Sequence, residues 1–161
     1  DFLLGPDFLE ASRMRGLADP TVLAFAGSRW LLSHGDALCL DDTDYMAFRA
    51  EVRSKAWQEN FLARPLGARQ ALARQLRDAS EARKKSGDIY ADVDAGMAQD
   101  WLAGCGARTL VHGHTHRPAE HALGDGLRRV VLSDWDASAS PPRLEVLRLS
   151  GQGLERRPLP A

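Results

Sequence analysis

Cysteine is nearly absent: the 161 residues hold two, Cys39 and Cys105, far apart and without CxxC spacing. The pair fits free thiols in a reducing compartment better than a disulfide framework, so the cytosol is the default expectation. Long apolar runs are also missing. None approaches the roughly 20 residues of a membrane span, and no basic region followed by an apolar signal core opens the chain. The expectation is a soluble or peripheral protein. Internal repeats and low-complexity tracts are lacking, and so is an initiator Met: the chain begins at Asp1, and missing upstream sequence is expected. What remains is ordinary globular material, with 44% hydrophobic residues, enough for one compact domain with a real core.

Net charge is close to zero, at −1, but it is unevenly spread. The segment Thr43 to Gly87 holds ten Lys and Arg against five Asp and Glu, so it carries +5 and the remainder −6. A basic segment suggests an anionic partner, although scattered charge is more often a solvated helical face. Few aromatics in it are placed for base stacking and the whole chain is not basic, so no nucleic-acid partner is expected.

The pattern predicts a helix from "DFLLGPDFLEASRMRG", with Pro6 near its start and Gly16 at its end. "TVLAFAGSRWLLSHGD" predicts two strands joined at Gly27-Ser28, the second ending at His34. From Thr43 to about Leu76 the spacing is helical, and Pro65 divides it into at least two helices near Arg64-Pro65. "ASEARKKSGD" is expected as a polar connection. "DVDAGMAQDWLAGCG" is an amphipathic helix, with Met97, Trp101 and Leu102 facing a core and Gly104 or Gly106 ending it. Strands are then expected in "RTLVHGHTHRP" and "RRVVLSDW", and a terminal hairpin around Gly151 to Gly153. Such an order predicts a layered α/β domain with a mixed sheet, and no second globular domain.

Two loops carry candidate chemistry. His112, His114 and His116 follow an apolar strand at alternate positions, and an extended segment with that spacing presents up to three imidazoles together. Imidazole is the commonest metal ligand. His34-Gly35-Asp36 closes a second apolar strand, with Asp41 and Asp42 after it. Ligands collect at strand ends in layered α/β folds, so both loops are expected at one site although about eighty residues separate them.

"HGD" followed by "HGHTHRP" resembles the C-terminal half of the calcineurin-like metallophosphoesterases. More narrowly, "DFLLG", "SHGDALCLDDTDYMAFR", "YADVD", "LVHGHTHRPAEH" and "VVLSDW" resemble the branch acting in lipid A synthesis, over Asp1 to about Trp135. The resemblance implies an α-β-β-α sandwich with a helical lid at about residues 43–87. It implies two divalent metal ions, Mn2+ foremost, and His34, His114 and His116 as metal ligands. His112, at the first position of the motif, is less firmly a ligand. Asp42, Ser80, Arg83, Lys84 and His114 are the implied substrate contacts, and His114 also has the implied catalytic role of stabilising phosphate. "EARKKSG" departs from the family pattern after Ser80.

The implied reaction is hydrolysis of the pyrophosphate of UDP-diacylglucosamine, giving UMP and the acylated sugar phosphate. Acyl chains would lie along Trp57, Phe61, Leu62 and Leu66, and the protein would sit peripherally on the cytoplasmic side of a Gram-negative inner membrane, its arginines against anionic headgroups. Family motifs that precede "DFLLG", among them an Asp-x-His and a Gly-Asp ligand, have no counterpart in these residues. Two other readings stay open: a related phosphodiesterase or phosphatase, and a non-catalytic metal-binding module.

Overall fold

The computed structural model describes residues 3–85 and 91–159. They fall into two compact units, one of residues 42–91 with the N-terminal helix, the other of residues 16–41 and 92–161.

The first unit is helical. Helix α1 is Pro6–Ala11, with Pro at its start, and it closes at Ser12 rather than at Gly16, because Arg13 turns to a left-handed φ of 54°. Helices α2 (Thr43–Val52), α3 (Lys55–Leu62) and α4 (Leu66–Lys85) follow. Asp42 caps α2 by accepting from the Tyr45 N–H, and Ser54 caps α3 by accepting from the Trp57 N–H. The break at Arg64-Pro65 is where the sequence placed it. A further break at Arg53-Ser54 was not expected, and α4 runs through much of the segment expected as a polar connection. Ala, Glu, Arg and Lys in that segment are good helix formers, and no Gly or Pro interrupts them before Gly87.

The second unit is a mixed sheet with one helix against it. Strands β1 (Thr21–Phe25), β2 (Ser28–Ser33), β3 (Thr109–His112), β4 (Glu120–Gly124) and β5 (Leu127–Val131) pair in the order β1-β2-β3-β5-β4. The hairpins β1/β2 and β4/β5 are antiparallel, whereas β2/β3 and β3/β5 are parallel. Strands β6 (Glu145–Ser150) and β7 (Gly153–Pro158) form the expected terminal hairpin. Strand β4 is an addition to the sequence reading. Its turn is Gly124-Asp125-Gly126, with all three residues at positive φ, a tight-turn signal that the nearby histidines overshadowed.

Helix α5 (Ala95–Cys105) starts at Asp94, whose side chain accepts from the Met97 N–H, and ends at Gly106 in the left-handed conformation, so Gly104 stays inside the helix. Leu102 is buried, with Met97 and Trp101 half-buried. Leu31, Leu38, Leu102, Leu110, Val130 and Val131 make the core, nearly all of them fully shielded from water.

One polar cluster reaches from this core to its edge. Arg129 clasps Asp92 through two hydrogen bonds, Nη1 to Oδ1 at 3.1 Å and Nη2 to Oδ2 at 2.6 Å. The same Nη1 lies 3.3 Å from Nε2 of the fully buried His112, whose Nδ1 lies 2.9 Å from the Gly113 carbonyl oxygen. A guanidinium only donates and a carbonyl only accepts, so the ring carries its proton on Nδ1 and accepts at Nε2. Burial pushes the His112 imidazole down to about 4 against the pull of the Gly113 carbonyl, and the Arg129 charge pushes the same way. Burial opposes ionisation of Asp92, but the hydrogen bond from Arg129 outweighs it and holds the carboxyl below its ordinary value.

Truncating the central strand tests the core: Leu110→Ala should lower the unfolding free energy in urea by about 2–5 kcal/mol, and Leu66→Ala at the exposed start of α4 by about 0.5 kcal/mol or less. His112 gives a pH signature. Between about 4 and the ordinary 6.5 the unfolded chain binds a proton that the folded chain refuses, so this contribution is complete above pH 6.5 and shrinks as pH falls toward 4. The loss should reach about 3 kcal/mol, and urea unfolding between pH 7 and 4 should show a shallower acid limb in His112→Asn.

Candidate functional site

Strands β2, β3 and β5 are mutually parallel, so their C-terminal ends emerge along one edge of the sheet. This edge receives the His34-Gly35-Asp36 loop from β2, the Gly113 to His116 loop from β3, and Leu132 to Asp134 from β5. Backbone hydrogen bonds tie the three together: the Gly113 N–H donates to the His34 carbonyl at 3.1 Å, and the Leu132 N–H to the His112 carbonyl at 2.7 Å. Asp19 braces the first loop, accepting from the Ser33 hydroxyl at 2.6 Å and the His34 N–H at 3.2 Å.

Gly35 is required where it stands. Its φ is 99°, and a Cβ there would come within 2.9 Å of His112 Nδ1 and 3.1 Å of its Cβ. The two motifs therefore touch backbone to ring, and only glycine permits it. Beside this contact, the rings of His34 and His114 meet edge to face, with centroids 5.2 Å apart.

The three imidazoles of the HxHxH run do not present together. The segment leaves the extended conformation at once, with His114 at φ 63° and His116 at φ 52°, so strand alternation ends at His112. His112 turns into the core with both nitrogens engaged. His114 turns to His34, and the exposed His116 lies with Nδ1 3.9 Å from Asp134 Oδ2. Asp134 is gripped by Arg143 at 2.8 Å, and that hydrogen bond holds its carboxyl below the ordinary carboxylate value. Two consecutive motif histidines in the left-handed region store backbone strain, a feature concentrated at functional sites.

The other expected site residues lie elsewhere in the chain. Asp42 is the N-cap of α2 in the helical unit. Ser80, Arg83 and Lys84 fall in the last turns of α4, where their side chains lie outside the described residues. Among the described residues, no three His, Cys, Asp or Glu side chains are grouped to hold a metal ion. His34 and His114 offer neutral nitrogen donors suited to manganese, iron or zinc, but as a pair they leave a coordination sphere open. Sequence reasoning missed Asp19, Asp92, Arg129, Asp134 and Arg143. Asp92 and Arg129 did stand in the quoted "YADVD" and in the strand "RRVVLSDW", but nothing in one sequence pairs positions 37 apart.

No family model matches the chain. Curated proteins do. A UDP-2,3-diacylglucosamine hydrolase of Chromobacterium violaceum is 48% identical over 137 residues, covering 84% of this chain and 57% of that protein. Proteins of the same name from Xanthomonas oryzae and Stenotrophomonas maltophilia are each 43% identical, covering 96% and 90% of this chain. The chain spans 57% to 65% of the length of these relatives. At this identity, and over nearly all of its own length, the chain is homologous to part of the UDP-2,3-diacylglucosamine hydrolases.

Proposed function

We propose that the chain supplies the paired-histidine part of a hydrolase that cleaves the pyrophosphate of UDP-2,3-diacylglucosamine. The observation that carries this is the meeting of His34 and His114 at the ends of parallel strands, in a chain 43% to 48% identical to hydrolases named for that substrate. In the proposed reaction water adds across the P–O–P bridge, releasing UMP and 2,3-diacylglucosamine 1-phosphate. The proposed cofactor is a pair of divalent ions, Mn2+ foremost, which when bound would activate water and offset phosphoryl charge.

His34, His114 and His116 are the proposed metal ligands of this chain. The described residues do not complete such a site alone, so the proposal assigns the remaining ligands to the portion of the relatives that this chain does not span. His114 is further proposed to contact the phosphate. The strained backbone at His114 and His116 and the Gly35 contact with His112 would fix these rings before substrate arrives, which is how a site avoids reorganising during reaction.

The basic helices are proposed to receive the lipid. Trp57 and Phe61 stack with centroids 4.9 Å apart and planes within 7°, and Leu62 and Leu66 beside them in sequence are exposed. These apolar side chains suit acyl chains, and the surrounding arginines suit anionic headgroups at roughly 1 kcal/mol each. No helix among the described residues is long and apolar enough to cross a membrane. Peripheral attachment on the cytoplasmic face of the inner membrane is the proposed location, with Asp42, Ser80, Arg83 and Lys84 as proposed contacts to the nucleotide sugar.

Among the described residues no third ligand is grouped with His34 and His114, and this favours a second reading, a metal-binding module without activity. Hydrolysis of UDP-2,3-diacylglucosamine with added Mn2+, by this chain and by a form extended upstream of Asp1, separates the two. The expected result is turnover by the extended form, lowered at least about a hundredfold by His34→Ala and by His114→Ala. Turnover by neither form selects the module, and turnover of small phosphodiesters but not of the lipid selects a different hydrolase.

A further inference from the structure

The strands that end at the histidines begin at a second feature, a cleft of about 600 Å3 lined by Arg29, Trp30, Arg108, Thr109 and Arg128 together with glycine-bearing turns. Its size lies in the usual range of small-molecule sites, about 300–1,000 Å3. Strands of four to six residues put it roughly 10–20 Å from the histidine edge. Three arginines line it and no acidic residue does.

A glycine makes room for one of these guanidiniums: a Cβ on Gly126, at φ 74°, would come within 3.0 Å of Arg108 Nη1. Arg29 is anchored by Nε donating to the Cys105 carbonyl at 2.7 Å. Arg128 is anchored by Nε donating to the Thr109 hydroxyl and by Nη1 donating to Glu120, a pair exposed enough to be strongly screened. Arg108 is exposed, and its guanidinium has no hydrogen bond or ion pair among the described residues.

A second, independent observation points to an acceptor. Trp30 is only 7% exposed, yet its indole N–H has no hydrogen-bond partner among the described residues. An indole N–H can only donate, and leaving such a donor buried and unmet costs about 1–3 kcal/mol. Trp30 lines the cleft beside an uncommitted guanidinium and two anchored ones, a set of positive charges suited to oxygen-rich anions, and its own shielded indole N–H is the unmet donor next to them.

We propose that this cleft is a second binding site, separate from the histidine edge, for a phosphate-bearing anion. Arg108 is its free donor, Arg29 and Arg128 are its fixed positive charges, and the Trp30 indole beside them reports on its occupancy. The ligand is a phosphate or diphosphate group, carried by a soluble molecule or by a lipid headgroup.

Indole N–H resonances of the 15N-labelled chain test this, with Trp30 identified by its loss in Trp30→Phe. One titration uses inorganic pyrophosphate, the other vesicles of phosphatidylglycerol set against phosphatidylcholine. The expected result is movement of the Trp30 signal that saturates below about 1 mM pyrophosphate, weakened about tenfold by Arg108→Gln and unchanged by Arg77→Gln on α4. Gly126→Ala, which displaces the Arg108 side chain without removing charge, should weaken it as well. Movement with phosphatidylglycerol vesicles alone supports the site and assigns it to headgroups. No movement with either probe, or movement that Arg108→Gln leaves unchanged, overturns it.

Discussion

The approach of Gly35 to the buried ring of His112 is the constraint on which the histidine edge depends. A glycine at φ 99° lets one loop lie against an imidazole within the core, and a shared backbone hydrogen bond joins that loop to the next. The ring can serve as a floor because it is neutral and fully engaged, donating to Gly113 and accepting from Arg129. Arg129 is in turn held by the two-point clasp on Asp92. A buried guanidinium is tolerable only with such a partner, so the half-exposed Asp92, by holding the buried Arg129, supports the geometry of two surface imidazoles.

Much of the second unit was legible because its signals are local. Apolar runs ending in histidine gave β2 and β3, apolar spacing and a closing glycine gave α5, and Gly151 to Gly153 gave the last hairpin. Strand β4 was not read, because its polar Glu120 and His121 hide a short edge strand whose clearest mark is the turn after it. The extent of α4 was misread for the opposite reason: a charged, polar stretch looks like a connection, yet its residues favour helix.

The site was legible in its location and less so in its detail. Two His-bearing loops at strand ends were correctly expected to share an edge of the sheet. The alternation argument failed beyond His112, because it assumes an extended backbone and the chain adopts left-handed turns at His114 and His116. No pattern in these side chains signals such turns, since neither residue is glycine. The ion pairs of Asp92 with Arg129 and of Asp134 with Arg143 are invisible to spacing rules, being products of tertiary packing.

Strand β3 also sets how the gene can vary. It is four residues long, flanked on both sides by parallel partners, and it places Thr109 in the arginine cleft and His112 beneath the histidine edge. Because strand side chains alternate, inserting or deleting a single residue between them would leave one in place and swing the other to the opposite face. Length changes are therefore intolerable within β3, and the tip of the last hairpin is constrained as well, because Gly151 to Gly153 line the arginine cleft.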